Sequence, residues 1–451
     1  MSLRALDPIL DDLPPGIDPE PIRALLDALA PPYDVERWEI PLPVWATRPY
    51  EDGPEAAWRI LRDELDAPDR TGPMCIYVHV PFCSRKCGFC DCYSFAVRSN
   101  VETTMDRYVE AVCRELETWG SQGALGERGV STVHLGGGTP TFLGTERLAR
   151  LVERCRASFA IGAETELALE TTVGALTPTM MDTMDELGIR RVHIGVQSLD
   201  DQVRQAIGRR DPAPAVLARI GAAIERGWIV SVDLVCGLPG QTTAGFVGDV
   251  ETLIALGVDG FSLYELLVYA QNRAWAEANG LAGRSHMANF VAFIAAAERL
   301  DGRPGFVKRT FNHWANERDA DIYFTSPARG EDCLAVGTIA DGVFGDYHFR
   351  HHRSAGYLRG AREDGVGLEG GLRRTAAESR LHPLVTAILS GTIAPDLVKA
   401  IDERFPEEEP LSEEWLERRL VARGSGGELR LTASGAWFAG NMVRALSGPR
   451  G

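Results

Sequence analysis

The segment YVHVPFCSRKCGFCDC (residues 77–92) joins a β-rich run to a loop that holds four of the chain's nine cysteines. Thiolates are soft ligands that select zinc, Cu(I) or iron–sulfur clusters. Zinc sites usually use two separated cysteine pairs, and no second C-x2-C pair follows this loop. The C-x3-C-x2-C spacing of Cys83, Cys87 and Cys90 predicts three ligands of a [4Fe–4S] cluster whose fourth iron has no protein ligand. A zinc site and a purely structural cluster remain the alternatives.

The composition excludes several classes of protein. The 451 residues are 45% hydrophobic and 25% charged, with a formal net charge of −17. Such acidity argues against a nucleic-acid scaffold or a binder of anionic membranes, because both need basic surface. The first residues, MSLRALDPILDDLPPG, contain no apolar signal region, and no run of 18 apolar residues occurs. We therefore expect a cytoplasmic protein with reduced thiols and with neither a nucleic-acid nor a membrane partner.

Six short β-rich runs alternate with helical patterns between residues 75 and 268. In order, they are CIYVHVPF, STVHLGGGT, ELALETT, RVHIGVQS, IVSVDLVCG and GFSLYELLV. Strands that alternate with helices predict a parallel βα array. Six repeats without a seventh and an eighth predict an α/β fold built on a partial, TIM-type (β/α)6 barrel that is open along one side.

The remaining patterns divide the chain into four segments. Residues 1–72 are rich in Pro and Asp and are interpreted as an N-terminal extension that packs on the main domain. Residues 73–280 form the barrel core, and residues 281–368 supply flanking strands and a linker. Residues 369–451 contain three short helices followed by a strand and a last helix, the pattern of a winged-helix-like α+β domain. In so acidic a chain we interpret that domain as a lid or docking piece and not as a DNA reader.

Polar and glycine residues gather at the carboxyl ends of the predicted strands, where the active sites of barrels form. Glycines 136–138 and Thr139 close the second strand, where backbone without side chains lets a ligand approach. The others are Glu170, Gln197 and Asp233 at the ends of the third, fourth and fifth strands, and Arg209 after the fourth. Each alone is explained as a polar cap of a strand or turn. Together, at one face of one array, they predict a ligand site.

Four motifs carry a family resemblance: YVHVPFCSRKCGFC, LGGGTPTFL, RVHIGVQSLD and VDLVCGLPGQT. They resemble the motifs of radical S-adenosylmethionine (SAM) enzymes of the oxygen-independent coproporphyrinogen oxidase-like (HemN-like) branch, and the similarity runs from about Tyr77 to the C-terminus. The resemblance implies a radical SAM barrel and a [4Fe–4S] cluster on Cys83, Cys87 and Cys90. It also implies that the open iron binds the amino and carboxylate groups of one SAM, and that a second SAM binds beside the first.

The resemblance further assigns residues to each SAM. It implies contacts of the first SAM with Tyr77, Gly137 and Glu170. It places around the second SAM Phe89, Gly138, Thr139, Gln197, Arg209, Asp233 and the backbone near Leu267. Because SAM is a sulfonium zwitterion, carboxylates suit its cationic and ribose parts, while Arg209 suits its carboxylate. Cys92 matches a fourth cysteine that some members carry and that is not needed as a ligand.

Three activities compete within this branch. A coproporphyrinogen III oxidase-like dehydrogenase would be expected to carry GMDHFA-like and NFQGYT-like stretches, where this chain has YAQNRAWAEANG and RTFNHWANERDADIYF. A haem-carrying chaperone would show an HN-x2-YW stretch, where this chain reads FTSPARGEDCLAVG. The interpretation that remains is a class C radical SAM C-methyltransferase or cyclopropanase of natural-product biosynthesis.

That interpretation implies a mechanism and partners. One SAM would yield the 5′-deoxyadenosyl radical, and the other would give a methylene radical that adds to an sp2 carbon of a small-molecule substrate. An external one-electron donor of the flavodoxin or ferredoxin type would be required. Cys92, Cys333 and Glu265 are the candidates for assistance in the last step. His348, His351 and His352 are interpreted as part of a solvated or substrate-facing loop, and the cysteines interpreted as core residues are Cys75, Cys113, Cys155 and Cys236.

Overall fold

The computed structural model of the chain describes residues 6–65, 72–97, 99–281, 285–363 and 365–448. Its main sheet is built from twelve strands: β1 (Met74–Val80), β2 (Val130–Gly137), β3 (Glu166–Thr172), β4 (Arg191–Gln197), β5 (Ile229–Cys236), β6 (Gly260–Glu265), β7 (Val307–Thr310), β8 (His313–Ala315), β9 (Asp332–Val336), β10 (Asp341–Phe344), β11 (Tyr347–His351) and β12 (Leu368–Arg373). Their order across the sheet is β12-β11-β10-β9-β1-β2-β3-β4-β5-β6-β8-β7.

The six strands expected from the sequence are present, and they pair in parallel in chain order from β1 to β6. Every residue of β4 is buried, and only one residue of β1 is not. Such continuous burial is typical of parallel strands covered on both faces. The predicted α/β fold with six parallel strands in chain order is therefore confirmed.

The sheet extends beyond these six strands at both ends. On one side β9 pairs in parallel with β1, with Tyr77 opposite Ala335, and β10 to β12 continue the sheet in antiparallel fashion. On the other side β6 pairs antiparallel with β8, with Ser262 opposite His313. The segment from Asp332 was expected only as flanking strand and loop, and it supplies a seventh parallel strand next to the cysteine loop.

Eighteen α-helices occur in the described residues. They are α1 (Asp7–Leu10), α2 (Glu20–Ala28), α3 (Pro54–Leu65), α4 (Val101–Gly120), α5 (Thr145–Ser158), α6 (Pro178–Glu186), α7 (Asp201–Ala206), α8 (Ala213–Glu225), α9 (Thr243–Leu256), α10 (Arg273–Ala278), α11 (Met287–Asp301), α12 (Ile322–Thr325), α13 (Ser354–Glu363), α14 (Ala376–Leu389), α15 (Pro395–Asp402), α16 (Leu411–Glu417), α17 (Ala433–Trp437) and α18 (Ala439–Ala445). None of them is both long enough and apolar enough to cross a lipid bilayer.

Local sequence explains where these helices begin and end. The side chain of Thr242 accepts a hydrogen bond from Gly245 N at the start of α9, and Gly257 takes the left-handed conformation at its end. These are an N-cap and a glycine C-cap. At the start of α14, Thr375 and Glu378 form a reciprocal capping box. Each cap provides hydrogen-bond partners for backbone N–H or C=O groups that the end of a helix would otherwise leave without one.

The C-terminal helices form a small module with a three-stranded sheet of β13 (Thr392–Ile393), β15 (Leu429–Leu431) and β14 (Val421–Arg423). The N-terminal segment packs on this module. Trp38 Nε1 donates to Trp437 O at 2.8 Å, and Trp415 Nε1 donates to Tyr33 Oη at 2.6 Å. The helix, strand and hairpin order is winged-helix-like, and the division into four segments remains a prediction.

The histidines of DYHFRHHR differ from expectation. His348 and His351 lie in strand β11, and His351, its last residue, is fully buried. Its Nδ1–H donates to Ala340 O at 2.9 Å, and its Nε2 lies against the Glu115 carboxylate. Burial opposes charge on this ring, but Glu115 outweighs it and raises the pKa of His351. The expected solvated loop is therefore wrong, because the ring has a buried anionic partner from α4 that the local pattern does not reveal.

Candidate active site

The cysteine loop begins where β1 ends and is interlocked with the glycine-rich end of β2. Gly138 N donates to Val80 O at 2.7 Å, and Thr139 N donates to Phe82 O at 2.9 Å. A Cβ at Gly138 would lie only 2.7 Å from Phe82 O. The glycine is therefore required by close backbone approach, which fixes the loop against the carboxyl end of the sheet.

The three predicted ligands fit a group larger than one metal ion. Cys83, Cys87 and Cys90 are half-buried, whereas Cys92 is exposed. Among the described residues, the three sulfur atoms do not form a set within 4.8 Å of one another. Sulfur ligands of a tetrahedral zinc, each about 2.3 Å from the metal, would lie about 3.8 Å apart. The spacing therefore argues against a mononuclear zinc site and is compatible with a cubane cluster, whose irons each take one thiolate.

The electrostatics of the loop favour a thiolate at Cys90. A hydrogen bond from the Cys92 thiol, opposed by burial and aided by Lys86, lowers the pKa of Cys90 to about 6. Lys86 Nζ also donates to Ser94 Oγ at 3.2 Å, which holds the ammonium beside the loop. Since the thiolate is the form that binds iron, Cys90 is prepared for metal ligation at neutral pH, whereas burial raises the pKa of Cys83.

A cavity of about 590 Å³ lies beneath the loop, at the carboxyl ends of β2 to β5. This volume is within the range usual for small-molecule sites, about 300–1,000 Å³. The structure brings together around it most of the residues expected from the sequence: Cys83, Cys87, Phe89, Cys90, Cys92, Gly137, Gly138, Thr139, Glu170, Gln197, Arg209 and Asp233. It does not bring Tyr77, Leu267, Glu265 or Cys333 to this lining.

Glu170 is held by the protein as an anion. Its Oε2 accepts a hydrogen bond from Gly137 N at 2.9 Å, and its Oε1 lies 3.1 Å from His134 Nε2. Burial alone would raise the pKa of Glu170, but these hydrogen bonds and the nearby imidazoles lower it to about 2. A carboxylate fixed beside the cysteine loop is suited to the ribose or ammonium of a ligand.

Gln197 and Arg209 present polar atoms that the protein leaves without partners. Gln197 takes a positive φ of 71°, uncommon for a residue with a side chain. Its Oε1 and the Nε of Arg209 are buried and form no hydrogen bond with any described residue. Arg209 Nη1 donates to Gly195 O at 3.0 Å, which orients the guanidinium toward the cavity. Buried orphan atoms are costly unless a ligand or water binds them, so this half of the cavity fits a polar ligand.

The lining also contains side chains that the sequence did not single out. His193 lies 3.0 Å from Asp233 Oδ1, and Arg85 and Arg210 are at the exposed edge of the cavity. On the far side of the loop, the Trp275 ring packs so closely that a Cβ at Gly88 would be 2.2 Å from it. In the sequence, His193 lies inside an apolar strand and gives no functional signal. Arg210, directly after Arg209, could have been recognised as a second candidate for binding an anion.

The remaining predicted residues surround neighbouring spaces. The Tyr77 ring stacks on Tyr323 inside the barrel, 5.2 Å between centroids, and its hydroxyl is 3.0 Å from His79 Nδ1. Leu267 lines a separate cavity of about 470 Å³. Asn272 connects the walls of the two cavities. Its Nδ2 donates to the carbonyl oxygen of Phe89, which lines the first, at 3.0 Å, and to that of Leu267, which lines the second, at 2.8 Å.

Glu265 ends β6 next to this second cavity. Its Oε1 accepts hydrogen bonds from His286 Nδ1 at 2.6 Å and from Asn289 Nδ2 at 2.9 Å, and both of these partners line the second cavity. Cys333 lies on β9 opposite Cys75 of β1. Neither side chain faces the cysteine loop cavity, which removes the geometric basis for a direct role of Glu265 or Cys333 there.

The chain matches known proteins in this region and beyond it. Residues 77–253 match the model of the radical SAM superfamily. Anaerobilin synthase of Escherichia coli O157:H7 is 26% identical over 388 residues, covering 82% of this chain and 83% of that protein. Oxygen-independent coproporphyrinogen III oxidase of Escherichia coli K12 is 25% identical over 346 residues, covering 70% and 72%. Heme chaperone HemW of Mycobacterium tuberculosis is 34% identical over 203 residues, covering 45% and 52%.

A solved structure supports the fold over most of the chain. The coproporphyrinogen III oxidase HemN of Escherichia coli, described as a radical SAM enzyme, superposes with a TM-score of 0.72 at 21% identity. The superposition covers 88% of this chain and 94% of that one. The region that holds the cysteine loop, the interlocked glycine turn and the polar cavity at the strand ends is therefore similar to the radical SAM superfamily over residues 77–253, and the chain has HemN-like homologues.

Proposed function

We propose that this chain is a HemN-like radical SAM enzyme that binds two SAM molecules and acts on a carboxylated substrate of the tetrapyrrole class. The relatives that span most of the chain act, by name, on coproporphyrinogen III or make anaerobilin, and a shorter match is a haem chaperone. None of these three is named as a methyltransferase. The oxidase-like alternative therefore has more support than the methyltransferase or cyclopropanase that the motif comparison favoured.

The observation that carries the proposal is a surplus of cationic groups around the cavity. Arg209 is oriented by Gly195 O and suits the carboxylate of the second SAM. Arg85 and Arg210 line the same cavity, and neither forms an ion pair with any described residue. Because the carboxylate of the first SAM would be taken by iron, these two guanidiniums are left for anionic groups of the substrate. Arginine is suited to such bidentate recognition of carboxylates.

The bound groups would supply one-electron cleavage of SAM and removal of a hydrogen atom from the substrate. This chain's own residues do the rest. The thiolates of the loop hold the cluster, and Glu170 with the Gly137 backbone orients the SAM beside it. Gln197, Arg209 and Asp233 provide the contacts for the second SAM. The Tyr77 and Tyr323 rings stack in the barrel below and exclude water from the reacting centre.

The test is anaerobic turnover with defined probes. Reconstituted, dithionite-reduced protein is incubated with SAM and with coproporphyrinogen III, with haem, or without either. We expect a tetrapyrrole to increase 5′-deoxyadenosine formation and to yield a product of altered mass, and we expect equilibrium binding of two SAM per chain. The Cys87→Ala variant is the matched control. Binding of haem with a Soret band but no turnover would instead identify a carrier.

Methyl transfer or cyclopropanation is the second candidate, and the unpaired atoms of Gln197 and Arg209 are equally compatible with it, since a second SAM bound there would be its methyl donor. It predicts S-adenosylhomocysteine in proportion to product, together with transfer of label from methyl-labelled SAM. An oxidase-like reaction predicts 5′-deoxyadenosine without S-adenosylhomocysteine. The electron donor is proposed to be of the flavodoxin or ferredoxin type, and replacing dithionite by each purified donor tests that assignment.

A further inference from the structure

A hydrogen-bonded row of side chains crosses the barrel from the reaction cavity to a buried acidic cluster. His193 on β4 lines the cavity and is only 3% exposed. Ser262 on β6 and His313 on β8 face each other in the strand register. His193 Nε2 lies 3.1 Å from Ser262 Oγ, which lies 2.8 Å from His313 Nδ1. His313 Nε2 lies 3.2 Å from Asp319 Oδ2, so four groups on separate elements form one continuous path.

The partners fix a single donor direction along this path. The Asp319 carboxylate can only accept, so His313 Nε2 carries the hydrogen, and in the neutral ring Nδ1 is then an acceptor. The Ser262 hydroxyl therefore donates to His313 Nδ1 and accepts from His193 Nε2–H. His193 Nε2 also lies 3.0 Å from Asp233 Oδ1, but that oxygen forms no hydrogen bond with a described residue. The Nδ1 of His193 is then a free lone pair, and this buried atom has no hydrogen-bond partner among the described residues. Because the His193 ring lines the reaction cavity, this unpartnered nitrogen is the position at which the ring can accept a proton.

The far end of the path carries an excess of negative charge. Asp319 and Asp321 are both buried and share one guanidinium, with Arg191 Nε 2.9 Å from Asp319 Oδ1 and Arg191 Nη2 2.8 Å from Asp321 Oδ1. Two carboxylates against one guanidinium leave a net charge of −1. Burial raises the pKa of Glu166, the next carboxyl group, 3.9 Å from Arg191. A proton delivered to this end of the path would therefore meet compensating negative charge.

We propose that His193 is a general base of the reaction and that Ser262 and His313 carry its proton to the Asp319–Asp321–Arg191 cluster. A substrate C–H or O–H gives its proton to His193 Nδ1, and the electron pair of that bond stays on the substrate. The Nε2 proton moves to Ser262 Oγ as the hydroxyl proton moves to His313 Nδ1. No electrons are exchanged, and the path is restored when the proton returns to His193 and passes from there to the product or to water. His193 is the catalytic residue here, and Ser262 and His313 are relay residues that act through it.

A metal ion at His313, Asp319 and Asp321 is the competing explanation of the cluster, since their ligand atoms lie within 4.8 Å of one another. The carboxylate oxygens are already engaged, however. Asp319 Oδ1 accepts from both Arg191 and Asp321 N, the latter at 2.9 Å, and Asp319 Oδ2 accepts from both His313 and Ser231. The Arg191 guanidinium, within 2.9 Å of both carboxylates, would repel a divalent cation bound to them. The arrangement therefore favours a proton acceptor over a metal site.

Charges around His193 determine the expected pH dependence. The ring faces Asp233 from β5 and Phe324 from α12, and the charges of Arg191, Asp321 and Glu170 also act on it. Burial lowers the pKa of His193, but Asp233 outweighs burial and the net effect raises it above its ordinary value. A base must be neutral to accept a proton. Turnover should therefore fall as the pH decreases through this raised pKa, and the His193→Gln variant should lose that limb of the profile.

The test rests on the proposed function for substrate but has a readout that needs no turnover. With coproporphyrinogen III as the probe, His193→Gln should lower kcat about 100-fold and Ser262→Ala about tenfold, at unchanged SAM binding and KM. Ser231→Ala is the matched control, since it removes a hydroxyl that touches the same Asp319 outside the path. It should remain within about twofold of the wild type, and only Ser262→Ala should abolish the solvent deuterium isotope effect on kcat.

The second readout is 15N NMR of histidine-labelled, cluster-reconstituted full chain. His313 should show a hydrogen on Nε2, and its shifts should follow the titration of His193 in the wild type and in Ser231→Ala but not in Ser262→Ala. If His313 carries the hydrogen on Nδ1, or responds alike in all three proteins, the relay is refuted. If the probe is not turned over and the NMR coupling is present, the substrate assignment fails and the relay stands. If turnover occurs and the coupling is absent, only the relay fails.

Discussion

The two halves of the cavity differ in how their polar groups are satisfied. On the β1–β3 side the protein supplies the partners: Glu170 is bonded to Gly137 N and His134, and Gly138 N to Val80 O. On the β4–β5 side, Gln197 Oε1 and Arg209 Nε are buried without partners among the described residues. The β1–β3 side, called the platform below, is organised by the protein itself, whereas the polar atoms of the β4–β5 side, called the adaptable half, would be satisfied by a ligand.

The largest expected effect concerns the platform itself. Cys87→Ala should remove the iron and abolish turnover, because the cluster loses one of its three ligands. Cys92→Ala should keep the iron, because this exposed residue lies outside the C-x3-C-x2-C set that is predicted to bind the cluster. Iron content and visible absorbance of the reconstituted variants measure both. Loss of iron in Cys92→Ala would contradict the ligand assignment.

The next effect separates the two halves directly. A charge-assisted contact to a carboxylate contributes about 1.5–3 kcal/mol, so Arg209→Ala should lower occupancy of the second SAM about ten- to a hundredfold. Product should fall sharply while some 5′-deoxyadenosine still forms, whereas Glu170→Ala should lower both together. Quantifying both compounds in parallel measures this split.

Arg210→Ala is the matched control for that split, because it removes a neighbouring guanidinium assigned to the substrate. It should keep two SAM per chain and raise the KM of the substrate. Equal losses of 5′-deoxyadenosine and product in Arg209→Ala would show that the two halves do not act separately.

A subtler change acts on the adaptable half through the backbone. A Cβ at Gly195 would lie 2.7 Å from Gln197 Nε2 and 3.4 Å from Arg209 Nη2. Gly195→Ala should therefore displace both side chains and lower product formation about tenfold with the cluster intact. Gly221→Ala, where a Cβ would be 4.0 Å from its nearest neighbour, is the control. Unchanged SAM stoichiometry and product yield in Gly195→Ala would remove the case for a second ligand at this position.

The smallest effect is a pH dependence of stability on the organised half. The folded-state pKa of Glu170 is lowered to about 2, so its contribution is complete above about 4.5, its ordinary value. That contribution is lost as the pH falls from there towards 2. Urea unfolding of the apoprotein at pH 6 and at pH 3.5 should show a smaller stability difference between wild type and Glu170→Gln at the lower pH. A constant difference would mean that the carboxylate is not selectively stabilised.

The sequence predicted the platform better than the adaptable half. The cysteine spacing, the GGGT turn and the six strands are local patterns, and each was found where it was expected. Sheet order is not local, so the place of β9 beside β1 was not foreseen. His193 was missed for the same reason, since its partners Ser262 and His313 come from other strands. Tyr77 and Leu267 were assigned by resemblance to SAM contacts, and here they line the barrel interior and the neighbouring cavity, so those contacts remain predictions.

The pairing of β1 with β9 has a consequence for synthesis of the chain. One edge of β1 stays unpaired from the time Val80 is made until Asp332–Val336 emerges, about 250 residues later. At about 5–20 residues per second this takes about 10–50 s. During that interval the strand that carries the cysteine loop presents an open edge, which favours association with other chains. Chaperone binding and delivery of iron and sulfide would thus compete with misassembly on the ribosome, and slow translation should lower the yield of cluster-loaded protein.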